Sequence, residues 1–188
     1  IPTFTASKSE VGEPQIGTDG LYFGRITEEK GVDTVVKAYE MMPNRHVKIM
    51  GDDTTDEAKR LKKYINEKKI NNIEFIGFKA GEELENVIKG ARFTLIPSIW
   101  YDNLPNTALE SFKYSKPVIA SDIGSLPELV LDGVNGYLFK PADAHELCEK
   151  ITLLDDDSLV KKMGAESRKR LENRFAPQTP YNTLMKVF

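Results

Sequence analysis

The stretch LYFGRITEEKGVDTVVKAYE, Leu21–Glu40, carries the pattern that decides the fold. It begins with the short apolar run Leu21–Phe23, which ends at a glycine and is typical of a buried parallel strand. After a polar turn, apolar side chains recur at helical spacing, at Val32, Val35, Val36 and Tyr39. A strand, a tight turn and an amphipathic helix form the first part of a βαβ unit.

The same plan repeats along the chain. Further apolar runs precede longer, charged stretches of helical period, at His46–Met50, Ile73–Ile76, Phe93–Ile96 and Pro117–Ala120. Strands that alternate with helices predict an α/β fold with a doubly wound, Rossmann-like parallel sheet. Ligands of such sheets usually bind beyond the carboxyl ends of the strands. After Leu138 the pattern becomes mostly helical, with one helix capped by Asp143 and another over about 157–173.

Composition excludes several classes of protein. The chain has 188 residues, enough for one full-sized domain, and a net charge of -3 argues against a strongly basic nucleic-acid binder. A single cysteine, Cys148, excludes an internal disulfide and a cysteine-based zinc site. The apolar runs are too short to span a membrane. Asp52 and Asp53 follow a predicted strand, where we expect them to cap the next helix and not to bind a metal.

The ends of the chain differ from its middle in composition. Residues 1–20 are rich in Pro, Gly and polar side chains and are expected to form a linker, and residues 21–175 to form the domain. Residues 176–188 are separated from the last long helix by Pro177 and Pro180. Because the first residue is Ile1 and not Met, we expect an excised domain or a processed fragment.

The first candidate site combines Gly24-Arg25 with Lys30-Gly31. Arg25 leaves the first strand at the carboxyl edge of the sheet, and Lys30 precedes the first helix. Two cations beside a helix N-terminus suit a diphosphate, because free N–H groups and the helix dipole add to their charge. Judged alone, a solvated Arg and Lys beside a tight turn is the simpler interpretation.

The second candidate is a pair of carboxylates, Asp102 and Glu110. Asp102 lies in a loop that follows the fourth predicted strand, and Glu110 lies on a helix that begins near Pro105. Two carboxylates on one loop–helix unit can accept hydrogen bonds from sugar hydroxyls. The alternative is that Asp102 stabilises the loop and Glu110 is a solvated helix residue.

The third candidate follows the fifth predicted strand. Gly124-Ser125 indicates a tight turn and Pro127-Glu128 the start of a short helix, with the turn dipeptides Asp132-Gly133 and Asn135-Gly136 behind them. A glycine here allows a backbone to approach a ligand closely. Plain turn chemistry explains this segment equally well.

In this order and spacing, the three pieces resemble the C-terminal, donor-binding domain of the retaining, GT4-like glycosyltransferases of the GT-B fold. The resemblance runs from about Leu21 to Leu138, and the family's E-x7-E motif falls on Asp102 and Glu110. This chain departs from the family in two places. Asp102 stands where the family usually has the first Glu, and Ser125 replaces the second Gly of the turn.

The resemblance implies a role for each matching residue. Arg25 and Lys30 would bind the donor diphosphate and stabilise the leaving nucleoside diphosphate without a metal. Glu110 would bind the ribose hydroxyls, and Asp102 those of the transferred sugar. It places the other donor-binding positions at Gly24, Gly51, Gly77, Phe78, Lys79, Asn103, Leu104, Pro105, Asn106 and Thr107.

The implied activity is transfer of a hexose from a UDP-, GDP- or ADP-sugar to a glycan or a lipid-linked saccharide, with no cofactor. The implied partner is the family's N-terminal domain, which contacts the acceptor, so the chain alone would be inactive. The segment Tyr181–Phe188 would pack on that domain. The resemblance also implies a cytoplasmic location. The basic run 161–174 would contact the inner face of the membrane or, in the alternative interpretation, form a solvated helix face. The alternatives are half of a nucleotide-sugar epimerase and a non-catalytic α/β nucleotide-binding module.

Overall fold

A computed structural model describes residues 15–101 and 106–175. Over these residues the chain forms a six-stranded parallel sheet in the order β3-β2-β1-β4-β5-β6. The strands are β1 (Gly20–Phe23), β2 (Val47–Met50), β3 (Ile73–Gly77), β4 (Phe93–Ile96), β5 (Val118–Ser121) and β6 (Gly136–Phe139). The predicted doubly wound α/β fold is confirmed. The edge strand β6 was not predicted, because its apolar residues directly follow the turn dipeptide Asn135-Gly136.

Helices connect the strands and cover both faces of the sheet. They are a 3-10 helix (Glu28–Lys30), α1 (Val32–Glu40), α2 (Asp56–Lys68), α3 (Gly81–Gly90), α4 (Asn106–Lys113), α5 (Leu126–Leu129), α6 (Ala144–Leu153) and α7 (Asp157–Phe175). Asp143 caps α6 as predicted, by accepting a hydrogen bond from the Glu146 N–H. Across the described residues, no helix combines the length and the apolar character that a membrane span requires.

The predicted cap of α2 was wrong. Thr55 is the capping residue, and its hydroxyl accepts a hydrogen bond from the Ala58 N–H. Asp52 instead closes a local turn by accepting from the N–H and hydroxyl of Thr54. Asp53 pairs with Lys62 at 2.5 Å. Because α2 begins at Asp56, the capping position falls on Thr55, and the two aspartates lie before it.

The core lies on both faces of the sheet, as the alternation of strand side chains requires. On β1, Tyr22 packs in a cluster with α1 and α6, while Leu21 and Phe23 pack on the opposite face with α3. A third cluster joins β4 and β5 to α4 and α5. With both faces covered, only the strand ends can present polar side chains to a ligand.

A buried lysine links three backbone segments at the end of the sheet where the strands begin. Lys116 is 2% exposed, and its ammonium donates to the carbonyls of Gln15, Lys89 and Ala91 at 2.6, 2.6 and 2.7 Å. Burial lowers the pKa of Lys116 to about 8. At pH 7 the side chain is therefore still mainly an ammonium, with three hydrogens for three carbonyls.

We expect Lys116→Met to lower the free energy of unfolding by about 2–4 kcal/mol, because the carbonyls lose their donors while the site stays dry. Urea denaturation at pH 7 measures this loss. Lys63→Met is the matched control, because Lys63 is 78% exposed, and it should change stability by less than about 0.5 kcal/mol. Equal stability of the two variants would contradict the assigned role of Lys116.

Candidate functional site

The order of the strands reverses between β1 and β4. From β1 the chain moves outward to β2 and β3, then returns to β4 on the other side of β1. In doubly wound sheets the neighbouring connections leave on opposite faces at such a point, and ligands usually bind in the crevice that this forms at the carboxyl ends of the strands. Gly24-Arg25 follows β1, and Pro97-Ser98 follows β4.

The turn that carries Arg25 is anchored while the side chain itself is exposed. The Gly24 N–H donates to the Met50 carbonyl at 3.0 Å, and the Tyr22 hydroxyl donates to the Arg25 carbonyl. Ile26, one residue further, is fully buried in the core. Arg25 thus projects from a fixed backbone at the crevice.

Lys30 ends the 3-10 helix directly before α1, in a segment that is fastened to the end of β4. The Ile99 N–H donates to the Glu29 carbonyl at 3.0 Å. The Thr27 hydroxyl and, less strongly, the charges of Arg25 and Lys30 lower the pKa of the Glu29 carboxyl. Both cations therefore affect one carboxyl group, and their joint binding of a diphosphate stays a prediction.

The first turn of α4 lies beside the Arg25 turn. A Cβ placed on Gly24 would lie 3.9 Å from the Thr107 methyl group. Asn106 is exposed and Thr107 is half-buried. The Ser111 hydroxyl donates to the Thr107 carbonyl at 2.7 Å and accepts from the Thr94 hydroxyl at 2.8 Å, which ties α4 to β4. The predicted loop residues Asp102, Asn103, Leu104 and Pro105 lie outside the described residues.

Glu110 lies one helical turn beyond Thr107 and is half-buried. Burial raises the pKa of its carboxyl group, and the positive charge of Lys113 opposes this shift in part. A half-buried carboxylate whose burial is only partly offset by a neighbouring positive charge is costly to the fold. Such a group is common at binding sites, where a ligand supplies the hydrogen bonds.

Glu110→Gln should stabilise the chain at pH 7 by an amount of the order of 0.5 kcal/mol, because the neutral amide avoids the burial cost of a carboxylate. The folded-state pKa is raised, so the cost is present above that pKa and is lost as the pH falls through it. The advantage of the variant should therefore shrink towards pH 4.5 and below. Thermal unfolding across this pH range measures it, with the exposed Glu67→Gln as control. A stability difference that does not change with pH would contradict this assignment.

The predicted base-pocket residues lie at the ends of β2 and β3. Gly51 is buried, and its N–H donates to the Gly77 carbonyl at 3.1 Å. A Cβ on Gly51 would lie 2.2 Å from the Gly24 carbonyl oxygen, so only glycine lets these two turns meet. Phe78 is 75% exposed, and Lys79 forms a 3.8 Å ion pair with Glu83. These residues lie at the same carboxyl edge of the sheet as the Arg25 turn, because β3, β2 and β1 are neighbouring parallel strands.

The third sequence motif serves mainly as a turn. The Asn135 side chain is buried, accepts from the Leu131 N–H and donates to the Leu129 carbonyl. Asp132 accepts from the Leu138 N–H at 2.8 Å. In the segments that the structure describes, no group of three His, Cys, Asp or Glu side chains could hold a metal ion.

Two side chains that hold the turn around Arg25, those of Tyr22 and Thr55, were not predicted from the sequence. The Tyr22 hydroxyl contacts the Arg25 carbonyl, and the Thr55 hydroxyl donates to the Ile26 carbonyl at 2.7 Å. The sequence carries a weak signal for Thr55, which stands directly before two acidic residues as helix caps often do. The sequence carries no signal for Tyr22, because the residues around a buried strand tyrosine do not indicate which group its hydroxyl bonds to.

Comparison with known proteins assigns this chain to a family. Residues 5–171 match the family described as Glycosyl transferases group 1. An uncharacterized glycosyltransferase of Methanocaldococcus jannaschii is 28% identical over 169 residues, which cover 90% of this chain and 47% of that protein. The chain spans about half the length of the curated relatives it matches.

Two solved structures show the same fold. HepE of Anabaena, solved in complex with UDP and glucose, has a TM-score of 0.80 at 24% identity, over 90% of this chain and 48% of that one. The C-terminal domain of the group 1 protein LpcC of Francisella tularensis has a TM-score of 0.75 at 24% identity, over 87% of this chain and 89% of that one. This chain therefore belongs to the glycosyl transferases group 1 family and has the fold of the C-terminal half of a GT-B glycosyltransferase.

Proposed function

We propose that this chain binds the nucleoside diphosphate sugar donor of a retaining hexosyltransferase. The observation that carries the proposal is the meeting of the Arg25 turn with the first turn of α4 at the reversal point of the sheet. A cation and a helix N-terminus that meet in a crevice form a suitable site for a phosphate group. HepE, which shares this fold, was solved with UDP and glucose, and this favours UDP as the nucleotide to test first.

In this proposal, different residues of the described part of the chain bind different parts of the donor. Arg25 and Lys30 bind the diphosphate, and Asn106 and Thr107 offer it the N–H groups at the start of α4. Glu110 accepts hydrogen bonds from the ribose hydroxyls, and these bonds offset the desolvation cost of its half-buried carboxylate. Gly51, Gly77, Phe78 and Lys79 line the nucleobase pocket.

The chemistry follows from these charges. When the sugar leaves its nucleotide, negative charge accumulates on the released diphosphate, and Arg25 and Lys30 stabilise that charge in the transition state. Fixed cations suffice for this role, so we propose a reaction that needs no metal ion. Asp102 would hold the hydroxyls of the transferred hexose.

The acceptor belongs to another part of the enzyme in this proposal. Residues 21–175 form the donor domain, and residues 1–20 link it to an N-terminal domain that supplies the contacts to a glycan or lipid-linked acceptor. Residues 176–188 pack back on that domain. The 188-residue chain should therefore bind a nucleotide without transferring sugar.

Isothermal titration of the chain with UDP, GDP and ADP, in buffer with EDTA, tests the proposal. Binding of one of these nucleotides, with the same affinity after Mg²⁺ is added, is the expected result. Failure of all three to bind at millimolar concentration would overturn the donor site. An absolute requirement for Mg²⁺ would overturn the metal-independent mechanism alone.

A further inference from the structure

Three consecutive backbone groups after β1 are each held by a different element. The Gly24 N–H donates to the Met50 carbonyl of β2 at 3.0 Å. The Arg25 carbonyl accepts from the Tyr22 hydroxyl, and the Ile26 carbonyl accepts from the Thr55 hydroxyl at 2.7 Å. The two carbonyl bonds come from side chains, so point substitution can remove each without touching the backbone.

Both hydroxyls are themselves rigidly placed. Tyr22 is 3% exposed and packs in the core beneath α1. Thr55 caps α2, and its oxygen accepts from the Ala58 N–H at 3.1 Å while its hydrogen goes to Ile26. Thr55 is thus held at two points, and it links the start of α2 to the turn after β1.

We propose that Tyr22 and Thr55 form a hydroxyl clamp that positions Arg25 for the donor diphosphate. The Arg25 side chain is exposed and makes the contact, but its backbone direction is set by these two hydrogen bonds. A site whose backbone is already ordered loses less conformational entropy when the ligand binds, and this raises affinity. Tyr22 and Thr55 are positioning residues, and their role rests on the proposed function of Arg25.

Three substitutions of the 188-residue chain test the clamp by UDP titration. Tyr22→Phe removes one hydroxyl and keeps the ring, Thr55→Val removes the other, and Thr55→Ser retains it. We expect Tyr22→Phe and Thr55→Val to weaken UDP binding by about three- to tenfold, and Thr55→Ser to bind as the parent chain does. Tyr64→Phe is the matched control, because its hydroxyl bonds to Glu40 on the helices away from the crevice.

A double-mutant cycle separates positioning from general stability. If the clamp acts through Arg25, Tyr22→Phe should cause no further loss of UDP affinity in the Arg25→Ala background. A loss of equal size in both backgrounds, or parent-like affinity of Tyr22→Phe and Thr55→Val, would overturn the clamp. If Tyr22→Phe does not fold, the same cycle with Thr55→Val and Thr55→Ser decides. Unchanged affinity in Arg25→Ala alone would instead overturn the proposed donor site, and the clamp with it.

Discussion

Arg25→Ala is expected to weaken UDP binding by about 10- to 100-fold, which corresponds to roughly 1.4–2.8 kcal/mol. The guanidinium projects from an anchored turn at the end of the central strand and is exposed in the free chain. A diphosphate can accept two parallel hydrogen bonds from it, and alanine removes both together with the charge. Titration calorimetry measures the change in Kd.

The stability of the chain should be nearly unaffected by Arg25→Ala, because an exposed side chain leaves no cavity and no buried partner. Arg25→Lys keeps the charge but loses the planar fork, so its affinity should fall between those of the parent and the alanine variant. Arg60→Ala is the control, because Arg60 is an exposed arginine whose ion pairs are with Asp33 and Glu57. If both alanine variants lowered affinity equally, the effect would be nonspecific charge and Arg25 would have no special role.

Gly31→Ala is expected to lower the free energy of unfolding by about 3–5 kcal/mol, a large share of the stability of a typical domain. Two effects add. Gly31 has a φ of +67°, a left-handed conformation that costs an L-residue about 1 kcal/mol or more. An added Cβ would also lie 2.0 Å from the Pro97 carbonyl oxygen, so α1 would have to move away from the end of β4.

A second glycine separates these two effects. Gly133 has a φ of +75°, but a Cβ there would meet nothing within 4 Å. Gly133→Ala should therefore show the conformational cost alone, about 1–2 kcal/mol in urea denaturation. Equal losses in the two variants would mean that the contact between Gly31 and Pro97 relaxes freely. Because Lys30 precedes this contact, we also expect Gly31→Ala to weaken UDP binding.

Much of the architecture could be predicted because local patterns and tertiary packing agree. The five predicted strands match β1–β5 to within one residue at each end. Each is a short apolar run bounded by polar residues, and a buried parallel strand needs little else. Strand β6 was not predicted because its apolar residues directly follow a turn dipeptide, and its pairing with β5 makes it a strand.

The site could be predicted in part. Spacing along the chain predicts that Arg25, Lys30 and Glu110 lie near the carboxyl ends of β1 and β4, because successive parallel strands end at one edge of the sheet, and their joint binding of a ligand stays a prediction. The cap of α2 was misassigned to Asp52 and Asp53, because several residue types cap helices and only the path of the loop decides which one reaches the N–H group. Tyr22 and Thr55 could not be predicted, since their partners are carbonyls, which every residue carries.

The sequence by itself determined the order of the first five strands and of the helices between them, and it placed Arg25 directly after the first strand. These properties depend on periodicity and on neighbours along the chain, which a sequence displays directly. Only the tertiary structure decided which glycines tolerate no Cβ, that the buried Lys116 bonds to three carbonyls, and which hydroxyls hold the turn after β1. Such contacts join backbone atoms of distant segments, and distances between them are set by packing to a few tenths of an ångström, which no residue type encodes.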